Sequence, residues 1–155
     1  MIVLNAADET GRCPLDGETL TAAVRAGLAF AGAAAASVTV IVLDDEALHA
    51  INRDHLGHDW PTDVVTFAFA DDGTGGRGGA GRGAIEGEIY VSLDTAAREA
   101  AERGRRVEDE LTLYVVHGTL HLCGYDDHDD ADRAAMRQAE RDVLTRLGIT
   151  PDRFE

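Results

Sequence analysis

His117 and His121 stand four residues apart in the run His117-Gly118-Thr119-Leu120-His121-Leu122-Cys123-Gly124-Tyr125-Asp126-Asp127-His128. On a helix that spacing puts both imidazoles on one face, one turn apart, where both reach one ion. Gly124 permits a sharp turn at the helix end, and His128 follows on a loop that can fold back toward the same ion. Three neutral nitrogen ligands with one open position is the plan of a catalytic zinc site, in which the ion lowers the pKa of bound water. The pair also interrupts a stretch that is otherwise apolar. Buried imidazoles left without partners cost about 1–3 kcal/mol each, and a shared metal satisfies both at once. One histidine alone would read more simply as a core residue with a hydrogen bond. Cys123 lies about 200° around the helix from His121, so it reads as core rather than ligand. The peptidase pattern His-Glu-x-x-His needs its general base at the second position, where this chain has Gly118. Asp126 and Asp127 are placed to orient a ligand histidine through a hydrogen bond.

The elements that must position these residues follow from periodicity. Met1 to Leu4, Ser37 to Leu43, Val64 to Phe69 and Gly87 to Ser92 read as strands from their apolar and β-branched runs. Leu15 to Ala31 has helical spacing, and Asp44 and Asp45 offer a cap for a helix that continues from Glu46 to Leu56. Ser92 caps a helix over Leu93 to Arg103, where Arg103, Arg105 and Arg106 either answer the helix dipole or form a small phosphate patch. Glu108 to Cys123 is apolar on nearly every side and reads as a buried helix; Asp129 to Leu147 is a last amphipathic one. This order predicts one domain over residues 1–155, an α/β (α+β) fold with a small mixed β-sheet of about four strands and helices packed on it. The Gly-rich stretch 71–84 has no Gly-Lys-Ser/Thr end and is followed by a strand, so it reads as a flexible linker and not as a phosphate loop.

The run His-Gly-x-Leu-His-Leu-x-Gly-Tyr-Asp resembles the signature of the YbeY family of bacterial ribosomal-RNA maturation endoribonucleases. Two more blocks carry the resemblance. Asn52 through Phe67, with Asp59, Pro61-Thr62-Asp63-Val64 and Thr66-Phe67, is similar to the family's second block. Gly87-Glu88-Ile89-Tyr90-Val91-Ser92 is similar to its Gly-Asp-Ile strand. The resemblance implies a zincin-like metal-dependent hydrolase fold, one bound Zn²⁺, and cleavage of single-stranded RNA in ribosomal-RNA maturation and ribosome quality control. It implies that His117 and His121 are metal ligands. The family's third histidine falls at Asp127, with His128 one residue further; either His128 binds or Asp127 supplies an oxygen, and His₃ is the set that suits zinc best. The metal set is therefore read as His117, His121 and His128. The family pattern has arginine where Leu56 stands and lysine where His58 stands. His58 titrates near neutral pH and, beside His55 and Asp59, is the candidate proton donor or phosphate contact; Asp126 is the second candidate catalytic side chain, and Glu88 a third group of unknown placement.

Charge bears directly on that expectation. The 155 residues carry 29 acidic and 14 basic side chains, a formal net charge of −15, and every basic residue other than histidine is Arg. Such a chain is repelled on average by RNA, DNA and anionic lipid. RNA handling therefore needs a local patch, for which Arg77, Arg82, Arg103, Arg105 and Arg106 are candidates, or a partner such as a ribosomal particle or a ribosomal protein. Two cysteines make no disulfide framework, no apolar run approaches a membrane span, and the amino terminus carries no secretory pattern, so the expected location is cytoplasmic. Two alternatives stand beside the nuclease: a ribosome-assembly factor with a structural zinc, and a metal-dependent hydrolase of another substrate.

Overall fold

The computed structural model describes residues 1–56, 63–69 and 84–150. Four strands, β1 (Ile2–Asp8), β2 (Ala36–Leu43), β3 (Val64–Ala68) and β4 (Ile85–Ser92), form one sheet in the order β1-β2-β4-β3. The β1–β2 and β2–β4 pairs are parallel and β3–β4 is antiparallel. Five helices complete the described residues: α1 (Gly17–Ala31), α2 (Asp45–Leu56), α3 (Leu93–Arg103), α4 (Val107–Leu122) and α5 (Asp130–Arg146). The expected mixed α/β architecture of four strands with packed helices is what the chain adopts. Asp59, Pro61, His58 and the Gly-rich stretch lie outside the described residues.

Alternation along β2 and β4 divides the sheet into two faces. Val38, Val40 and Val42, with Ile89 and Val91, are fully buried on one face and meet Leu20, Val24 and Leu28 of α1 and Leu111, Val115 and Leu120 of α4. α5 joins this core through Met136, Ala139, Val143 and Leu144. A smaller cluster on the other face gathers Leu43, Leu48 and Val65 with Ile51, Phe67 and Tyr90 under α2. β1 runs beyond the apolar Met1–Leu4 because parallel pairing with β2 continues as far as Asp8↔Val42. Its residues Asn5 to Asp8 have no β-branched pattern, and the partner strand supplies what the local sequence lacks.

Two hydrogen-bonded junctions fix where helices leave the sheet. Ser92 ends β4 and caps α3, accepting from the Thr95 amide at 3.1 Å. Its hydroxyl donates to Asp45 at 2.5 Å, and Thr95 and Arg98 also donate to that carboxylate. Burial favours the protonated form of Asp45, but these donors outweigh it and hold its pKa below the usual value.

α4 crosses the sheet at Gly118. A Cβ there would lie 2.7 Å from Ile89 Cγ2 and 3.1 Å from Thr66 Cγ2. The glycine is thus a packing requirement, and it explains why a helix accepts a residue that costs about 1 kcal/mol relative to alanine. A glutamate, the base of the peptidase pattern, has no room at this position. Gly118→Ala is expected to lower stability by on the order of 1 kcal/mol, the steric cost exceeding the gain in helix propensity. Urea unfolding checks this; an unchanged or raised midpoint would show that Ile89 moves aside freely.

Candidate metal centre

His117 and His121 occupy successive turns of α4, where His117 meets Glu140 of α5 and shares a cavity with Asp63 and Val64 at the start of β3. Their Nε2 atoms are 3.0 Å apart and their rings meet edge to face, 80° between planes. α4 ends at Leu122, and Gly124 then adopts φ +102°, a left-handed conformation that glycine takes without strain. The Gly124 amide donates to the His121 carbonyl at 3.0 Å and the Tyr125 amide to that of Leu120 at 3.0 Å. This turn returns the chain over the two imidazoles and brings Asp127 Oδ2 to 3.9 Å from His121 Nε2. Among the described residues, His117, His121 and Asp127 form a group whose ligand atoms all lie within 4.8 Å of one another.

His128 takes a different place. Its side chain is 79% exposed, and its Nδ1 lies 3.1 Å from Asp126 Oδ2. Asp126 also accepts from the Asp127 amide at 3.2 Å, so its visible role is to shape the turn that presents Asp127. The sequence reading set His128 as the third ligand with Asp127 as the alternative; the geometry brings Asp127 to the pair and leaves His128 outside the group. Cys123 is buried in the core with its thiol pushed up to about 11 by burial, in keeping with a packing role. Glu88 alternates with Ile89 along β4 and therefore lies on the sheet face away from α4, where the Tyr90 hydroxyl donates to it at 2.7 Å.

Glu140 is the residue that local sequence reasoning missed. It projects from α5, is half-buried, and its Oε2 makes a short contact with His117 Nδ1. A carboxylate at Nδ1 fixes the tautomer and aims the Nε2 lone pair outward, the arrangement common behind metal-bound histidines. Burial drives the pKa of His117 down, but the hydrogen bond and charge of Glu140 outweigh it and raise it. His121 is lowered, by burial first and then by the charge of His117. His121 is therefore the more readily neutral of the two and has a lone pair to give.

The donor set fits a divalent transition metal. Two imidazole nitrogens 3.0 Å apart and pointing at each other require either a proton or a cation between them. A carboxylate completes a three-ligand set of a type accepted by zinc. The cavity beside the cluster has a volume of about 370 Å³ and is lined by His117, Asp127, Asp63, Tyr114 and Glu140 among others, so a substrate has access from the open side.

A mixed four-stranded sheet crossed by a helix bearing this His-x-x-x-His pair, with an acid returned from the following turn, defines the class: an α/β protein with a candidate single-metal centre. The comparisons with known proteins agree on one family. The family model described as Endoribonuclease YbeY matches residues 8–148. Endoribonuclease YbeY of Bacillus licheniformis is 35% identical over 156 residues, spanning 96% of this chain and 97% of that protein. The protein of the same name from Salinibacter ruber is 37% identical, spanning 88% and 87%. The solution structure of TM1509 from Thermotoga maritima superposes with a TM-score of 0.56 at 24% identity, covering 95% of this chain and 91% of that one, a likeness of fold. The chain belongs to the endoribonuclease YbeY family.

Glu140→Gln removes the charged acceptor behind His117 while keeping its shape. Zinc affinity is expected to fall about 10–100-fold, as for other residues that support a metal ligand. A competitive-chelator titration measures it; an affinity equal to that of the parent would remove Glu140 from the centre.

Proposed function

We propose that this chain hydrolyses phosphodiester bonds of single-stranded RNA at one Zn²⁺ held by His117, His121 and Asp127, and that it acts in ribosomal-RNA maturation. Family membership supplies the reaction class, an endoribonuclease hydrolysing RNA. The observation that carries the site assignment is the facing pair of Nε2 atoms with Asp127 returned beside them. A zinc ion there would supply Lewis acidity toward water and a phosphoryl oxygen.

The protein groups have separable tasks in this reading. Glu140 holds the proton on His117 Nδ1 and so keeps Nε2 free to coordinate. Burial, with the charge of His117, lowers the pKa of His121 and so favours its neutral form. Asp126 holds the turn that carries Asp127. Asp63 and Asp127 line one cavity with His117, a position from which a carboxylate can orient or accept a proton from water. His58, outside the described residues, is retained as the proton donor or phosphate contact, since histidine as a residue type serves both roles. His128, exposed and paired with Asp126, is a candidate phosphate contact at the rim.

No helix among the described residues is long and apolar enough to cross a membrane. We place the protein in the cytoplasm on ribosomal particles, which would supply the RNA contacts that a net charge of −15 withholds. The experiment is cleavage of a single-stranded oligoribonucleotide by the purified protein with and without chelator. Cleavage is expected to be abolished by chelator and restored by zinc. His121→Ala is expected to lose both zinc and activity, and His58→Ala to lose activity while retaining zinc. Full zinc occupancy in His121→Ala would reject the ligand assignment. Chelator-resistant cleavage would reject the metal-dependent reaction, and specific binding to ribosomal particles without any cleavage would favour the assembly-factor alternative.

A further inference from the structure

The arginines that stand out in the sequence are largely committed to acids. Arg105 is buried against Glu110 at 2.9 Å, with side chains 8% and 2% exposed, and Arg106 pairs with Glu108 at 3.3 Å. A second set lies along α5, where Arg133 also pairs with Asp130. Arg133, Arg137 and Arg141 recur every fourth residue, so they form one row with steps of about 6 Å. The row begins at the candidate centre: Arg133 Nη1 donates to the Asp127 carbonyl at 3.4 Å and lines the same cavity as His117. It ends in a second cavity of about 170 Å³, lined by Arg103, Arg105, Arg137 and Arg141 together with Glu140. That carboxylate is already engaged by His117. Arg103, Arg137, Leu113 and Glu140 line both cavities, so the two spaces share one wall.

We infer that this second cavity is an anionic subsite, seating a backbone phosphate of the strand that flanks the bond cleaved at the His117–His121–Asp127 cluster. Three features support it. Four guanidiniums line one confined space on an acidic molecule, two of them paired with Glu99 and Glu110, and a field is focused there. Arg137 has no hydrogen bond or ion pair among the described residues, so its guanidinium is available. Arg103, itself exposed, pairs with the half-buried Glu99 3.0 Å away and one turn back, a solvent-reached pair that can yield to a phosphate. Arg105 serves as a fixed wall, because its partner Glu110 is buried beside it. Planar forked donors suit phosphate, and a row of them suits a repeating one. Arg137 is then a positioning residue for the substrate, and the inference rests on the RNA reading given above.

Binding of a short, fluorescein-labelled single-stranded oligoribonucleotide to the full chain, followed by anisotropy over a salt series, tests this. Arg137→Ala is expected to weaken binding on the order of ten-fold and to reduce the slope of log K against log salt by about 0.7. Arg137→Lys should keep the slope, since it keeps the charge. Arg146→Ala, on the same helix about 13 Å further along and stacked on Phe30, should leave both unchanged. In cleavage assays Arg137→Ala should raise KM with little change in kcat and no change in zinc content. A parent chain that does not bind the oligomer overturns the subsite. So does Arg137→Ala binding like the parent, or Arg146→Ala losing as much; in those cases cleavage by the parent can persist and the RNase reading stands. Arg137-dependent binding by a parent that never cleaves upholds the subsite and rejects the RNase reading.

Discussion

The distance between α4 and the sheet governs how this molecule is arranged. With no side chain at Gly118, the helix settles on Ile89 and Thr66. His117 and His121 bracket that glycine, so the residue that brings the helix down also sets the height of the imidazoles above the core. Their rings are half-buried, dry enough to hold each other in one geometry and open enough to meet a substrate. Gly124 does the complementary job at the end of the helix, where its left-handed turn returns Asp127 to the pair.

Much of this was legible in the sequence because the signals are local. The four-residue histidine spacing needs only a helix, and the apolar run around it predicts one. The strands β2 and β3 and the helix α3 follow from β-branched runs and a serine cap. What escaped prediction depends on partners distant in the chain. β1 is extended by its pairing with β2, and β4 starts earlier than its apolar core because Ala36 pairs with Ile85. Glu140 has no local mark of function: it sits in an amphipathic helix among other charges, and only the packing of α5 on α4 puts it behind His117. Asp127 and His128 differ by a single residue of turn geometry, which spacing alone does not resolve; the turn brings Asp127 within reach of the pair and leaves His128 exposed.

Net charge gave a true constraint and an incomplete one. An acidic chain that handles RNA must concentrate its cations, and the sequence drew attention to the arginine cluster after α3. Packing instead pairs all three with acids, Arg103 with Glu99, Arg105 with Glu110 and Arg106 with Glu108. The row on α5 is masked in the sequence by the acids interleaved with it, since Asp130, Asp132, Glu140 and Asp142 cancel it in any count along the chain. On the helix surface Arg137 lines both cavities, with Arg133 on one and Arg141 on the other.

The ligand set between α4 and the turn that follows it is the central assignment. X-ray absorption at the zinc edge of the purified protein reads its coordination shell directly. Two imidazoles with a carboxylate oxygen among the remaining light ligands is the result predicted from His117, His121 and Asp127. A shell of three imidazoles would contradict it and move the third ligand to His128.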